Sequence, residues 1–234
     1  MTARPTISVI IPTFNCARYL PAAVQSVREQ TLPVHEIIIV DDGSVDETPA
    51  VVAAFGIPVV SLRQAHEGIG AARNRGVDAA AGDYLAFLDA DDLFTPAKCA
   101  RQFEHLVQAG GPDISFGLIE EFVSPDLPAA AQQRLKARVG ALAGSVAGTM
   151  MINRSAFARV GPFATAWRLG EFADWYLRAA DAGLRSEMLP EVVLRRRLHG
   201  DNVGIRERAS RVDYVRIMKS ALDRRRHGSG GPST

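Results

Sequence analysis

The 234-residue chain has few of the features that would place a protein outside the cell or across a membrane. It contains two cysteines, Cys16 and Cys99, which are too few for a disulfide framework and lack metal-ligand spacing. Its first apolar run, residues 7–11, is interrupted by Pro12 and predicts neither a signal peptide nor a membrane span. We therefore predict a protein of the cytoplasm, where thiols stay reduced.

The chain also lacks a strong net charge, and this absence excludes one class of partner. A net charge of +1 gives no bulk attraction to nucleic acid, so no nucleic-acid partner is predicted. The charge is uneven, because residues 195–227 hold eleven Lys and Arg against four Asp and Glu. Near the chain end, Val215, Met218 and Leu222 recur at about helical spacing among basic residues. That helix either packs on the domain or lies peripherally on the inner, anionic face of a membrane.

Apolar runs and helical patterns alternate through the first half of the chain. Residues 6–11 and 36–40 are near-continuous β-branched runs, as strands covered on both faces of a parallel sheet require. Two further strand and helix pairs follow before about residue 110. Four βα units favour an α/β fold with an open, mostly parallel sheet flanked by helices. No interior linker divides the chain, so a single domain is predicted.

The second half is less regular. Strands are predicted at 114–119, 148–153 and 192–198, and helices at 129–143 and 171–182. A basic helix is predicted over 206–226, and the Gly- and Ser-rich end, 227–234, is predicted to be disordered.

Polar side chains follow three of the predicted strands where each strand ends. The segments are PTFN at 12–15, DDGS at 41–44 and DADD at 89–92. Ligands of open α/β sheets bind beyond the carboxyl ends of the strands, so these segments are expected to line one cleft. Asp41 is expected to point into that cleft. Asp42 and Ser44 are equally well explained as turn and helix-cap residues.

Asp89, Asp91 and Asp92 gather three carboxylates at one strand end. Neighbouring carboxylates repel one another unless a cation neutralises them. Hard ions such as Mn²⁺ and Mg²⁺ prefer oxygen ligands and commonly take substrate phosphates as additional ligands. A diphosphate bridged to the protein by a divalent ion is the substrate class that this cluster predicts.

The segments PTFN, VDDGS, AARNRG and FLDADD occur in an order that resembles the nucleotide-sugar glycosyltransferases of family 2, which have the GT-A fold. The resemblance covers roughly residues 5–205. It implies a GT-A domain over 1–226, with a nucleotide-binding half at 1–110 and an acceptor and catalytic half at 111–205. The residues that it places at the nucleotide sugar are Pro12, Thr13, Asn15, Asp41, Arg73 and Asp89.

The same resemblance assigns metal ligands and a catalytic base. It implies Asp91 as a metal ligand, and His199 as a second group near the metal or a structural hydrogen-bonding residue. Inverting transfer also needs a carboxylate to accept the acceptor hydroxyl's proton. The family draws it from an acidic pair before an aromatic residue, which Asp174 in GEFADWYLR matches incompletely, because Ala173 replaces the usual glutamate. Glu171, one helical turn earlier, is the competing candidate.

The predicted function is therefore metal-dependent, inverting transfer of a sugar from a nucleoside-diphosphate sugar, with Mn²⁺ or Mg²⁺ as cofactor. The acceptor is left open among a glycan, a lipid carrier, a small molecule and a peptide. One alternative is a catalytically impaired regulatory protein that binds the nucleotide sugar. Another is a sugar-phosphate nucleotidyltransferase, which the absence of glycine from the first strand-end turn disfavours. The GIGAAR segment lacks the third glycine of a dinucleotide fingerprint, which argues against a dehydrogenase.

Overall fold

The computed structural model describes residues 6–200 and 212–228. The strands in these ranges are β1 (Ile7–Thr13), β2 (Glu36–Asp41), β3 (Val59–Arg63), β4 (Tyr84–Phe87), β5 (Leu93–Phe94), β6 (Ile114–Val123), β7 (Leu142–Ala143), β8 (Met151–Asn153) and β9 (Ser186–Leu198). The helices are α1 (Leu20–Arg28), α2 (Thr48–Ala53), α3 (Ile69–Ala79), α4 (Lys98–Val107), α5 (Ala129–Arg134), α6 (Arg154–Val160), α7 (Glu171–Asp181) and α8 (Val212–Gly228).

One mixed sheet holds all of these strands, in the order β3-β2-β1-β4-β8-β6-β9-β5, with β7 paired to β6. The predicted parallel pairing is found across β3, β2, β1 and β4. Beyond β4 the sheet mixes directions, because β8 is antiparallel to both β4 and β6 while β9 runs parallel to β6. The α/β fold class with an open sheet is confirmed.

The central strands are buried on both faces, as their continuous apolar sequences predict. Every residue of β1 is buried. Ile7, Val9 and Ile11 belong to one apolar cluster, and Ile10 belongs to a second cluster on the opposite face. This alternation follows from the two-residue period of a strand. It fixes the carboxyl end of β1 between helices of both layers.

Three predicted segments differ from the structure. The helix predicted over 129–143 is wrong beyond Arg134, because the chain then leaves the helix and forms β7 against β6. The strand predicted over 148–153 begins as a 3₁₀ turn, Ala147–Thr149, and only Met151–Asn153 pairs in the sheet. The helix α8 continues through Gly228 into the predicted disordered tail. The rest of that tail, residues 1–5 and the predicted helix start at 206–211 lie outside the described residues.

The helix α8 packs on α7 near the candidate site. Its Ile217 and Ala221 are buried, and Arg225 Nε donates a hydrogen bond of 2.7 Å to Asp181 Oδ1 on α7. Each helix within the described ranges is too short or too polar to cross a lipid bilayer.

The helix α3 lies unusually close to β1 because Gly76 has no side chain. A Cβ added at Gly76 would come within 2.4 Å of Ile10 Cγ2, in the fully buried core. Ile10 is β-branched and cannot easily move aside. We expect Gly76→Ala to lower the free energy of unfolding by about 1–3 kcal/mol, despite alanine's better helix propensity.

The check is urea denaturation of Gly76→Ala beside a matched control. Gly56→Ala serves as that control, because a Cβ there meets nothing within 4 Å. Equal midpoints for the two variants would show that the α3–β1 contact tolerates an extra methyl group.

Candidate functional site

The ends of β1 and β2 are adjacent, as the sequence predicted. Thr13 pairs with Asp41 in the sheet register, and the backbone N–H of Asp42 donates a 2.8 Å hydrogen bond to the Thr13 carbonyl. Pro12, Thr13 and Asp41 are all buried at this edge. Two of the three predicted polar segments therefore meet at one place.

Asn15 connects the loop after β1 to the loop after β2. Its backbone is left-handed, with a φ of 48°, a conformation that asparagine adopts more readily than most residues. The backbone N–H of Asn15 donates a 2.8 Å hydrogen bond to Ser44 Oγ, and the side-chain Oδ1 of Asn15 accepts a 2.9 Å hydrogen bond from the Val45 backbone N–H. The Asn15 side-chain oxygen is thus engaged by the protein, and Ser44 takes the structural role left open by the sequence.

Asp42 holds the loop that leads into α3. Its carboxylate accepts hydrogen bonds of 2.9 Å from the backbone N–H groups of Glu67 and Gly68. His66 Nδ1 lies 2.9 Å from the same carboxylate. Asp42 therefore organises the backbone, and Asp41 is the acid of this segment whose bonding capacity is incompletely used.

Asp41 and Thr13 carry buried oxygens without a hydrogen-bond partner among the described residues. Asp41 Oδ1 accepts from the Ser44 N–H at 2.9 Å, whereas Oδ2 has only an ionic neighbour, Arg63 Nε, at 3.4 Å. Thr13 Oγ1 is likewise unpartnered in that part of the chain. Buried polar atoms are normally hydrogen-bonded, so an unpaired pair at a strand end is typical of a ligand site.

An aromatic pair is formed by the residue that follows Thr13 and a residue of the loop after β3. The rings of Phe14 and His66 stack with centroids 4.0 Å apart and planes 21° apart. Phe14 is 43% exposed. The sequence interpretation did not single out either residue, although an aromatic side chain inside PTFN was the available signal. A flat, half-exposed pair of this kind presents a stacking surface to a planar ligand.

Arg73 joins the two halves of the molecule. It lies on α3, is buried, and its Nη2 donates a 2.7 Å hydrogen bond to Asp89 Oδ1. Its Nη1 donates to Glu171 at the start of α7. Burial alone lowers the pKa of Arg73, but the charges of Asp89 and Glu171 outweigh it and raise that pKa above its ordinary value.

Asp89 and Asp91 diverge because they lie in a turn after β4 and not on the strand itself. Asp89 faces Arg73, while Asp91 Oδ2 lies 2.9 Å from His199 Nε2. The two residues that the resemblance assigns to the metal are therefore neighbours. His199 also stacks at an angle on Tyr19, with ring centroids 4.6 Å apart.

The donor groups at Asp91 and His199 fit a divalent ion that is shared with a substrate. One carboxylate and one imidazole leave most coordination positions of such an ion to other oxygens. Within residues 6–200 and 212–228, no cluster of three or more His, Cys, Asp and Glu side chains could hold an ion on its own. The site therefore suits an ion that arrives with, or is completed by, a diphosphate.

Arg197 and Asp92 support the turn that carries Asp91. The Arg197 Nε donates to the Asp91 carbonyl at 2.9 Å, and its guanidinium lies between the rings of Tyr19 and Phe122, at 4.9 and 4.8 Å. The Arg197 backbone N–H donates to Asp92 Oδ1 at 2.9 Å. Burial, and then the charges of the two neighbouring aspartates, raise the pKa of Asp92 well above its ordinary value. Asp92 thus anchors the turn to β9.

The two candidate bases, Glu171 and Asp174, face different partners. Glu171 contacts Arg73 at the cleft. Asp174 Oδ2 accepts a 2.9 Å hydrogen bond from Arg178 Nε, and its Oδ1 lies 3.6 Å from Arg224 Nη1 on α8. Although one helical turn separates them, only Glu171 shares Arg73 with Asp89 of the DADD turn. Asp174 instead helps to hold α8 against α7.

The open sheet and the acidic turn at its carboxyl edge define a GT-A fold. The S. aureus protein TarS is similar over 94% of this chain and 39% of its own, with a TM-score of 0.71 at 17% identity. A TarS structure described as a complex with UDP-GlcNAc has a TM-score of 0.66 at 19% identity, over 86% of this chain and 61% of that one. At such identities the likeness concerns the fold alone.

Sequence comparison identifies the family. The model of glycosyl transferase family 2 matches residues 8–161, and the chain belongs to that family. An uncharacterized glycosyltransferase of Haemophilus influenzae is 32% identical over 183 residues, which are 74% of this chain and 61% of the relative. The Bacillus subtilis protein EpsH is 34% identical over 112 residues, covering 47% of this chain and 31% of EpsH. The chain spans less than two thirds of the curated relatives it matches.

Proposed function

We propose that the protein is a metal-dependent, inverting glycosyltransferase that moves a sugar from a nucleoside-diphosphate sugar to an acceptor hydroxyl. The observation that carries the proposal is the buried Arg73, which joins Asp89 of the acidic turn to Glu171 of α7. Asp89 lies two residues before Asp91, whose carboxylate contacts His199, so one turn carries both ion pairs. These residues offer a cation for the diphosphate, ligands for its metal ion and a carboxylate for the reaction at the sugar.

The unpaired oxygens of Thr13 and Asp41 support a nucleobase that offers an N–H to a carboxylate. Uracil, thymine and guanine present such a ring N–H, whereas cytosine presents an acceptor nitrogen at the corresponding edge. The ligand would displace the Arg63 side chain, which is 58% exposed, from Asp41. Phe14 and His66 supply the stacking surface. TarS, whose fold is similar, has structures described as complexes with UDP and with UDP-GlcNAc, and a uridine donor is the one we propose for this chain.

Asp91 and His199 are the groups proposed to hold Mn²⁺ or Mg²⁺. The ion, when bound, would offset the negative charge that develops on the leaving diphosphate. The protein's own contribution is to fix the turn through Arg197 and Asp92, so that the carboxylate of Asp91 is presented in one orientation. Arg73, buried beside Asp89, adds a fixed positive charge near the ribose and phosphates.

Glu171 is the carboxylate proposed to accept the proton of the acceptor hydroxyl. It is the candidate base that contacts the cleft residue Arg73, whereas Asp174 is engaged by Arg178 and Arg224. The attacking oxygen would lose its proton to Glu171 as the bond between the sugar and the diphosphate breaks. Attack from the side opposite the leaving group inverts the configuration at the sugar carbon.

A donor-binding protein without transferase activity is the second candidate function. The observation that favours it is that both candidate bases are ion-paired with arginine, Glu171 with Arg73 and Asp174 with Arg178. Both candidates require metal-dependent nucleotide binding. They differ in slow hydrolysis of the nucleotide sugar, which only the transferase performs.

The proposal leaves the acceptor class as the sequence left it, among glycan, lipid carrier, small molecule and peptide. Residues 122–147 and 163–170 are the expected source of acceptor contacts, since variable loops usually supply them. Cytoplasmic location is part of the proposal and is supported by two free cysteines.

A thermal-shift panel tests donor binding. At about 100 times the dissociation constant, UDP with Mn²⁺ is expected to stabilise the protein by about 2.7 kcal/mol, or about 5–10 °C in Tm. CDP should give a clearly smaller shift. Asp91→Asn should remove the manganese-dependent part of the shift.

The matched control for that panel is Asp78→Asn, because Asp78 is an exposed aspartate on the far part of α3. It should keep the full shift. If no nucleoside diphosphate gives a manganese-dependent shift, the proposed function is wrong. If CDP stabilises the protein as much as UDP does, the inference that Asp41 accepts a hydrogen bond from a nucleobase N–H is wrong.

A further inference from the structure

The helix α8 has an apolar face that the rest of the described protein does not cover. One face is buried against α7 through Ile217 and Ala221. On another face, Val215, Met218 and Leu222 are 69%, 53% and 50% exposed. We call these three side chains the α8 stripe. Scattered exposed apolar residues are ordinary, but three on one helical face are a feature that needs an explanation.

The stripe and the buried face lie on different sides of the helix. Residues three and four apart share a helical face, as the members of the stripe do. At about 100° per residue, the stripe lies roughly 100–160° around the helix from Ile217. Packing on α7 therefore leaves the stripe directed away from the domain.

Basic residues border the stripe. By the same helical geometry, Lys219 and Arg226 flank it on one side and Arg225 flanks it on the other. The helix α8 carries five Lys and Arg against two Asp. Arg225 also contacts Asp181 of α7, so it fixes the helix as well as bordering the stripe. Apolar side chains surrounded by cations match the boundary between acyl chains and anionic headgroups.

A second copy of the chain fits this face less well. A two-fold contact would place the stripe of one copy on the stripe of the other and bring the flanking cations together. Like charges opposed across an interface are unfavourable. Three side chains also offer far less than the roughly 1,200 Å² that a stable interface buries.

We propose that the α8 stripe docks the protein on an anionic lipid surface. A Cβ at Gly170, the residue before Glu171, would lie 2.8 Å from Ile217 Cδ1, so α8 packs directly on the start of α7. Docking would hold Glu171 within about one helix diameter, roughly 10 Å, of the helix that contacts the headgroups. Such a position suits an acceptor carried by a lipid, an extension that rests on the proposed function.

The test is flotation of the full chain with lipid vesicles. Vesicles of phosphatidylcholine and phosphatidylglycerol in equal parts should bind the protein at least tenfold more tightly than phosphatidylcholine alone, and added salt should weaken that binding. Changing all three stripe residues to Gln should lower it at least tenfold. Changing Lys219 and Arg226 to Gln should lower it by a similar factor.

The control variant changes three other exposed apolar residues, Val45, Ile57 and Val139, to Gln. It should float as the unmodified protein does. Absence of vesicle binding, equal binding to both lipid mixtures, or full binding by the stripe variant would overturn the proposal. A dimer that only the stripe variant loses would assign the stripe to a second copy instead. The thermal shifts that nucleotides induce should be the same in the stripe variant as in the unmodified protein. Failure of lipid docking can therefore be distinguished from failure of the proposed function.

Discussion

Replacing Glu171 with Gln is expected to lower turnover of the nucleotide sugar by about 10²–10⁴-fold, the usual contribution of a general base. The amide keeps the size of the side chain and can still accept a hydrogen bond from Arg73, but it cannot take up a proton. Affinity for the nucleotide should change little, because the proposed nucleobase site involves Thr13 and Asp41 and the proposed diphosphate site involves Asp91. Turnover is measured as hydrolysis of the donor, and affinity as the dissociation constant for UDP with Mn²⁺.

Asp174→Asn is the comparison that separates the two acids. Asp174 is buried and engaged by Arg178 and Arg224, so its neutralisation leaves two partly buried guanidinium groups less well paired. We expect a loss of stability of about 1–3 kcal/mol with turnover per folded molecule within about tenfold of normal. The opposite result, with normal turnover for Glu171→Gln and lost turnover for Asp174→Asn, would return the base to Asp174. Absence of donor turnover in the unmodified protein would favour the donor-binding alternative.

Replacing Lys98 with Met is expected to stabilise the protein at neutral and slightly acidic pH. Lys98 lies at the start of α4, is fully buried, and its Nζ donates a 2.6 Å hydrogen bond to Gln102 Oε1. Burial lowers the pKa of Lys98 from 10.5 to about 7. Below pH 7 the fold must therefore hold a buried ammonium group without a carboxylate partner in the described structure. Replacing such a charge with an apolar side chain stabilises proteins by about 1–4 kcal/mol.

The pH dependence gives this prediction its distinctive form. Between about pH 7 and 10.5 the unfolded chain keeps the Lys98 proton that the folded protein has released, so stability rises with pH in that window. The rise is about 1.4 kcal/mol per pH unit. The advantage of Lys98→Met should therefore shrink by about 2 kcal/mol between pH 7 and 8.5. Burial raises the pKa of both Cys16 and Cys99 to about 12, which opposes folding above pH 9, so the comparison ends at 8.5.

Urea denaturation at pH 6.5 and 8.5 measures the effect. Lys136→Met is the control, because it removes the same charge from an exposed position and should change stability by less than about 0.5 kcal/mol. If Lys98→Met is less stable than the unmodified protein at both pH values, the hydrogen bond to Gln102 outweighs the buried charge.

The first half of the fold was readable from sequence because its central strands, β1, β2 and β4, are covered on both faces. Continuous β-branched runs such as residues 36–40 are typical of strands that are buried on both faces of a sheet. The second half was harder. The segment after Arg134 is rich in helix-forming residues, yet Leu142 pairs with Ile119 of β6, and this long-range pairing overrides local propensity.

The candidate site was predicted in its residue types more completely than in its contacts. Asp91 and His199 are 108 residues apart, and the pairing of β9 with both β6 and β5 brings His199 to the acidic turn. The different roles of Glu171 and Asp174 depend on the contact between Asp174 and Arg224 of α8. No local sequence pattern could predict that contact. The metal, base and nucleotide roles themselves stay predictions.

The pairing of β5 with β9 limits how the molecule can be divided. Leu93, two residues after Asp91, pairs with Arg195 of β9. The acidic turn is therefore joined by backbone pairing to a strand from the second half of the chain. A fragment that stops near residue 110 would keep the nucleotide-facing strands and lose the support of the turn. Chimeras that exchange the two halves between relatives would pair an acidic turn with a foreign β9. The acidic turn and β9 therefore form one structural unit of this architecture and cannot be exchanged separately.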